Sequence, residues 1–177
     1  MRSTSSATIR WTTDRGLHGH SLGRLADVPV NPDLQGRVFP STSPYLVCRE
    51  KVREFARAVF ATNPVNLDPV AATDAGYADI VAPPTFAVVV QEYTLAQLLA
   101  EPDAGIDFSR VVHGDQRFTF VRPFRAGDVV IAKVTIDRVR VRAGSELISA
   151  TVDMSGRDGE EIRSAQATFY HAREALA

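Results

Sequence analysis

The most apolar stretch of the chain lies in residues 82–100, where two prolines, Pro83 and Pro84, are followed by a run that is hydrophobic on nearly every side of a helix. Proline is tolerated in a first helical turn because the N–H that it lacks has no intrahelical partner there. The run of roughly 16 residues is shorter than the roughly 20 that span a bilayer, and its glutamines and Glu92 are costly in lipid. We therefore predict a central helix that is buried in protein.

Alternation of apolar and polar residues with period two follows this run, and it is typical of half-buried strands. Hairpin turns are predicted at residues 143–144 and 156–159, which contain glycine. A sheet with one apolar face is the natural cover for a buried helix. The sequence does not suggest a nucleotide-binding fold, because it has neither the strand–helix–strand alternation nor the glycine-rich loop of such a fold. The pattern predicts an α+β fold, and its four strand segments are residues 110–122, 130–137, 147–154 and 162–171.

Shorter elements are predicted before the central helix. Residues 49–60 should form an amphipathic helix, since apolar residues recur at helical spacing and charged residues cover the opposite face. The Asn-Pro dipeptide at residues 63–64 breaks that helix, because the residue before a proline disfavours the helical conformation. A second short helix over residues 70–75 ends at Gly76, a residue suited to a left-handed C-cap. A short strand is expected at residues 37–39.

Composition narrows the possibilities further. The chain has 177 residues, a hydrophobic share of 45% and a net charge of −1, which is a globular composition without a general attraction to nucleic acid or anionic membrane. Its single cysteine, Cys48, cannot form an internal disulfide, its four histidines show no metal-ligand spacing, and no secretory signal is recognisable near Met1. We expect a cytoplasmic protein without a metal, with a disordered tail over residues 1–27 and a single domain over residues 28–177.

Three separated motifs occur in order: REKVREF at residues 49–55, APPTF at residues 82–86 and VVHGDQRF at residues 111–118. They resemble the MaoC-like family of R-specific hydratases and dehydratases, and most closely its actinobacterial HadA-like branch of N-terminal-type subunits. The resemblance covers about residues 36–172 and implies a hot-dog fold, in which an antiparallel sheet wraps around a long central helix. It also implies an acyl thioester of coenzyme A or of acyl carrier protein as the substrate, and no cofactor.

Members of the resembled family interconvert 3-hydroxyacyl and trans-2-enoyl thioesters, using an Asp and a His for proton transfer and a backbone N–H of a Gly as oxyanion donor. The matching positions in this chain hold Ala61, Asn66 and Pro84. Neither alanine nor asparagine exchanges a proton near neutral pH, and proline has no N–H to donate. The resemblance therefore predicts that no residue of this chain is catalytic in that reaction.

A partner follows from this prediction. Edge strands and one flank of the central helix of a hot-dog domain need a second domain to cover them. In the HadA-like branch the resemblance implies a heterodimer with a MaoC-like catalytic subunit, and a homodimer is the alternative when that partner is absent. This type of subunit lines the tunnel for the acyl chain, and the candidate lining residues, each of which fits an ordinary core position equally well, are Phe86, Val89, Val90 and Tyr93.

Other residues leave different functions open. His113 and Asp115 are two positions apart on a predicted strand, so they would point to one face and could form a proton-transferring pair. Gly114 between them could mark a bulge that upsets this alternation. A structural hydrogen bond or a subunit contact is the simpler interpretation of the two residues. Glu92 is a carboxylate within an apolar helix that could activate water in a thioesterase. The simpler alternative is that Glu92 lies on the open flank of the helix or pairs with Arg117 or Arg122. A non-enzymatic module that binds acyl thioesters is the third possibility.

Overall fold

A five-stranded antiparallel sheet and a long helix dominate the computed structural model, which describes residues 29–142 and 145–172. The elements in chain order are β1 (Tyr45–Leu46), α1 (Arg49–Ala58), α2 (Pro69–Asp74), α3 (Ala87–Leu99), β2 (Val111–Phe120), β3 (Val129–Arg142), β4 (Ser145–Gly156) and β5 (Glu161–Ala172). The strands lie side by side in the order β1-β3-β4-β5-β2, so β1 and β2 are the edges of the sheet. The predicted tail over residues 1–27 and the predicted turn at residues 143–144 lie outside the described residues.

The inner face of the sheet follows the alternation in the sequence. Val134 pairs with Val152 and Ala132 pairs with Met154 across β3 and β4, so that apolar side chains of neighbouring strands lie on one face. This face lies towards α3, which contacts β3. The predicted α+β layout of an antiparallel sheet around a central helix is confirmed, and the inward residues of β3 and β4 that the alternation identified are all buried: Val130, Ala132, Val134, Ile136, Ile148, Ala150, Val152 and Met154.

The central helix begins with a 3₁₀ turn at Pro84–Phe86 and continues as α3. Its inner side, with Val90 and Leu98, is buried, whereas Glu92 and Tyr93 are exposed. The predicted central helix is therefore covered on its inner side, while one flank is open in the chain on its own. Hydropathy shows what a helix can bury but not how many sides are covered. No helix in the described ranges has the length and apolar character needed to cross a membrane.

The elements before α3 agree with the sequence pattern, with one exception. The helix predicted over residues 49–60 ends at Ala58, and α2 is followed by Gly76 in the left-handed conformation, at φ +87°. The strand expected at residues 37–39 is reduced to a single bridge between Val38 and Thr135. The segment still runs beside β3, because Phe39 N donates to Val134 O at 2.9 Å and, beyond Pro40, Thr42 N donates to Ala132 O at 2.8 Å.

A bulge in β2 changes which residues share a face. The register of β2 against β5 shifts between His113 and Asp115, as the intervening glycine had suggested. His113 lies opposite Phe169 on the inner face, whereas Asp115 lies opposite Thr168 on the outer face. The prediction that His113 and Asp115 point to one face is therefore wrong, because the extra residue reverses the alternation between them. For the same reason Val112 lies on the outer face rather than with Phe118 and Phe120.

Candidate functional site

The turn between α1 and α2 holds the two positions at which the resembled family carries its Asp and His. Ala61 donates its backbone N–H to Ala56 O at 2.8 Å, which closes the end of α1. Asn66 ends a 3₁₀ turn at Pro64–Asn66 and is only 7% exposed. Its Nδ2 donates to Val81 O at 2.6 Å. The amide therefore ties the turn to the segment that leads into α3, and neither side chain can act as an acid or a base.

Local hydrogen bonds explain why the sequence folds this way. Asn63 Oδ1 accepts from Val65 N at 3.2 Å, and Asp68 caps α2 by accepting from Val70 N at 2.9 Å. Val81 N donates to Val65 O at 2.9 Å, so the turn and the segment before α3 are joined by backbone as well as by Asn66. The Asn-Pro dipeptide, which follows the end of α1, thus begins the 3₁₀ turn that positions Asn66, and a structural role is sufficient for this turn.

Phe60, next to Ala61, has an unusual conformation that the sequence did not reveal. It adopts φ +55°, and it is the one non-glycine residue with positive φ in the described chain. The Phe60 side chain is 89% exposed. The bond from Ala61 N to Ala56 O places Phe60 at the left-handed position that usually closes a helix with glycine. An exposed aromatic residue therefore adopts a left-handed backbone conformation, which glycine adopts at the lowest cost in free energy.

Arg163 is a buried cation at the beginning of the central helix. It lies on β5 and is 1% exposed, and its guanidinium carbon lies 3.3 Å from the ring centroid of Phe120 and 5.0 Å from that of Phe124. Its Nη1 donates to the backbone oxygen of Pro84. Its Nε has no hydrogen-bond partner in the described part of the chain, and burial lowers the Arg163 pKa to about 10. The sequence contained a signal for this placement, since Arg163 is in phase with the inward residues 165, 167 and 169.

His113 and Asp115 do not form a proton-transferring pair. The His113 ring packs against Phe169, with ring centroids 4.8 Å apart, and its Nε2 lies 3.1 Å from the backbone oxygen of Asp115 rather than from the carboxylate. The Asp115 side chain is on the opposite face of the sheet, beside Arg117 and Thr168. His113 is an exposed side chain on the edge strand, and its contacts with Phe169 and with backbone are structural ones.

Glu92 and the candidate tunnel residues are distributed around α3. Glu92 is exposed, and Arg122 does not pair with it, because Arg122 binds Glu160 at 2.9 Å and Asp128 at 2.7 Å. Among the residues that the structure describes, no contact of Glu92 favours the thioesterase hypothesis, which stays a prediction. Phe86 and Val90 are fully buried, Val89 is half-buried and Tyr93 is exposed, with its ring centroid 5.5 Å from that of Tyr45.

A second buried polar cluster lies near the other end of α3. Glu146 Oε2 accepts from Val30 N at 3.0 Å and lies 3.1 Å from His171 Nδ1. His171 Nε2 accepts from Asp107 N at 3.1 Å, so the remaining proton of the neutral ring lies on Nδ1 and points at the glutamate. The pair joins β4, β5, the loop before β2 and the first described residues. We interpret it as a structural junction.

Comparisons with known proteins agree with these observations. Residues 33–165 match the family described as FAS1-like, dehydratase domain region. The chain is 57% identical to the UPF0336 protein of Leifsonia xyli subsp. xyli over 142 residues, which are 80% of this chain and 95% of that protein.

Solved structures of dehydratases are also similar to this chain. The chain is 34% identical to a chain of the C-terminally truncated HadBC (3R-hydroxyacyl-ACP dehydratase) complex of Mycobacterium tuberculosis, with a TM-score of 0.72 over 78% of this chain and 97% of that one. It is 31% identical to a MaoC-like dehydratase, with a TM-score of 0.72 over 78% of this chain and 42% of that chain. The chain therefore belongs to the family of FAS1-like dehydratase domain regions and has the hot-dog fold of the MaoC-like dehydratases.

Proposed function

We propose that this chain is the substrate-binding, non-catalytic subunit of a HadA-like, heterodimeric (3R)-3-hydroxyacyl thioester dehydratase in fatty-acid metabolism. The observation that carries the proposal is the turn between α1 and α2. Ala61 and Asn66 stand where the resembled family has its proton-transferring pair, and the Asn66 amide is bound to Val81 O. With a single cysteine and no internal disulfide, a cytoplasmic location is part of the same proposal.

The chemistry explains why a second subunit is needed. Dehydration of a 3-hydroxyacyl thioester removes the α-proton to a base, transfers a proton to the departing hydroxyl group, and releases water and a trans-2-enoyl thioester. Charge grows on the thioester oxygen as the α-proton leaves, so a nearby donor lowers the barrier. An alanine side chain and a neutral amide can neither accept the α-proton nor donate a proton to the departing hydroxyl group. The acid and the base must then come from a MaoC-like partner that carries Asp and His.

The exposed surfaces suit such a partner. β2 is an edge strand that pairs only with β5 in the described residues, so its second row of backbone N–H and C=O groups is available to a strand of another chain. Tyr93 on α3, Val112 on β2 and Phe120 at the end of β2 are exposed apolar side chains on these elements. The similarity to a chain of the HadBC complex supports pairing with another hot-dog subunit. A homodimer through the same edge is the expected state without the partner.

The acyl chain would lie along α3. The proposed path passes Phe86, Val89, Val90 and Tyr93, and the thioester would be carried by coenzyme A or by acyl carrier protein. Val89 and Tyr93 are reachable from the uncovered side of the helix, whereas Phe86 and Val90 would be reached only by a path that opens within the core. Apolar lining with few polar groups is what a site for an acyl chain requires.

Co-expression tests this proposal. The chain is produced with a MaoC-like protein that carries the Asp and His pair, the mass of the purified complex is measured, and hydration of crotonyl-CoA is assayed for the complex and for the isolated chain. We expect one copy of each subunit and activity only in the complex. Hydration at ordinary enzymatic rates by the isolated chain, unchanged in Asn66→Ala, would show that the chain has its own catalytic groups.

A further inference from the structure

The guanidinium of Arg163 is buried, and it forms no ion pair with a carboxylate of the described ranges. Burial lowers the Arg163 pKa. A buried charge without a partner destabilises a fold, and a well-packed apolar side chain of similar volume is commonly neutral or stabilising in its place. An arginine at this position therefore calls for an explanation other than folding.

The contacts of Arg163 leave hydrogen-bonding capacity unused. Rings of Phe118, Phe120 and Phe124 surround the guanidinium, with the Phe118 centroid at 5.3 Å, and they compensate part of the lost hydration through their π faces. Nη1 uses one N–H for Pro84 O. The Nε–H is buried and has no acceptor in the described chain. An arginine carries five N–H donors, so this group is prepared to bind a further oxygen atom.

The position of this donor connects it to the central helix. Pro84, which accepts from Arg163, begins the 3₁₀ turn before α3 and has no N–H of its own. Phe120, whose ring lies directly over the guanidinium, is the last residue of the edge strand β2 and is 43% exposed. Rotation of this one exposed ring would open the guanidinium to a ligand that arrives along the uncovered side of the sheet.

We propose that Arg163 is a binding residue for the oxygen of an acyl head group at the beginning of α3, with Phe120 as its cover. The inference rests on the proposed function, because it needs an acyl ligand. The ligand oxygen is a thioester carbonyl or the carboxylate of a free fatty acid, both of which accept hydrogen bonds from a planar guanidinium. The site involves hydrogen bonding only, and no covalent step.

Titration calorimetry on the full chain tests this site with three probes. Octanoyl-CoA carries the carbonyl oxygen, S-octyl-CoA is the thioether that lacks it, and octanoate supplies a carboxylate. We expect the unmodified chain to bind octanoyl-CoA about tenfold or more tighter than S-octyl-CoA, the difference expected for a hydrogen bond to a charged group. Arg163→Met should lose this preference while its affinity for S-octyl-CoA stays the same. Arg140→Met, which changes an exposed arginine on β3, should behave like the unmodified chain.

The outcomes separate this site from the proposed function. Equal affinity of the unmodified chain for thioester and thioether, or a preference that survives in Arg163→Met, would overturn the Arg163 site while acyl binding stands. Binding of none of the probes would overturn the proposed function and the site together. Binding of octanoate alone that depends on Arg163 would support the site and assign it to the free acid.

Stability provides a second readout. Arg163→Met removes a buried charge that has no ion-pair partner in the described residues, so its melting temperature should be equal to or above that of the unmodified chain. A fall in melting temperature would indicate a structural role for the guanidinium. Arg163→Lys, which keeps the charge but lacks the planar set of donors, then gives the deciding comparison: retention of a tenfold preference for the thioester in that variant would contradict recognition by the guanidinium.

Discussion

Asn66→Ala separates a structural role for this residue from a chemical one. The substitution removes the bond of 2.6 Å from Nδ2 to Val81 O and leaves that carbonyl, in a residue that is 6% exposed, without this donor. Loss of one partner of a buried hydrogen bond costs about 2 kcal/mol. For a chain of this size that corresponds to a fall in melting temperature of roughly 4–8 °C.

Thermal and urea unfolding of the isolated chain measure this cost. Asn63→Ala is the matched control, because Asn63 lies in the same turn but is exposed, and its side chain makes the longer bond of 3.2 Å to Val65 N. Its cost should be about 1 kcal/mol or less. In the reconstituted complex, assayed well below the melting temperature, neither variant should change kcat. Loss of kcat in Asn66→Ala with an unchanged melting temperature would refute the structural interpretation.

Three further predictions concern stability. Phe60→Gly should raise the free energy of unfolding, measured in urea, by about 0.5–1 kcal/mol, because it removes the backbone strain of φ +55° at an exposed position. A decrease would show that the Phe60 ring contributes packing that stabilises the fold. Gly105→Ala should cost at least about 2 kcal/mol in the same assay, because its Cβ would lie 2.3 Å from Pro29 O at φ +66°, and a neutral effect would contradict this loop geometry. Hydrogen bonding to Arg49 lowers the Asp79 pKa, so the pair should stabilise the fold above pH about 4 and lose its effect as the pH falls through the lowered pKa. Asp79→Asn should therefore differ from the unmodified chain in urea unfolding at pH 7 and converge with it in acid, and a difference that persists in acid would contradict the assignment.

The sequence predicts best where one physical signal dominates. Strict alternation in β3 and β4 identified their buried residues because each strand has one apolar face and no interruption before Ile136. The alternation failed in β2, where a single inserted residue places His113 on the face opposite to that of Asp115. The uncovered side of α3 was not predictable from hydropathy, because an apolar residue that awaits a partner looks the same in the sequence as one that is already buried.

The sequence predicted the candidate site mainly through the absence of the family's Asp and His. Ala61 and Asn66 could be placed by the motif around them, and the structure adds the bond that explains Asn66. Arg163 was missed because arginine is rarely buried, so its inward phase in β5 carried little weight. Glu146 and His171 were missed because they are far apart in the chain, and only the pairing of β4 with β5 brings them together.

The origin of the acid and the base is tested most directly in a complex whose partner has been disabled. The Asp and His of the MaoC-like subunit are replaced by Asn and Gln, the variant is assembled with this chain, and hydration of crotonyl-CoA is compared with that of the unmodified complex at equal concentration. We predict that hydration falls to the background rate, because Ala61 and Asn66 supply no proton transfer. Hydration that persists in the assembled, disabled complex would contradict the account, because the catalytic groups would then belong to this chain.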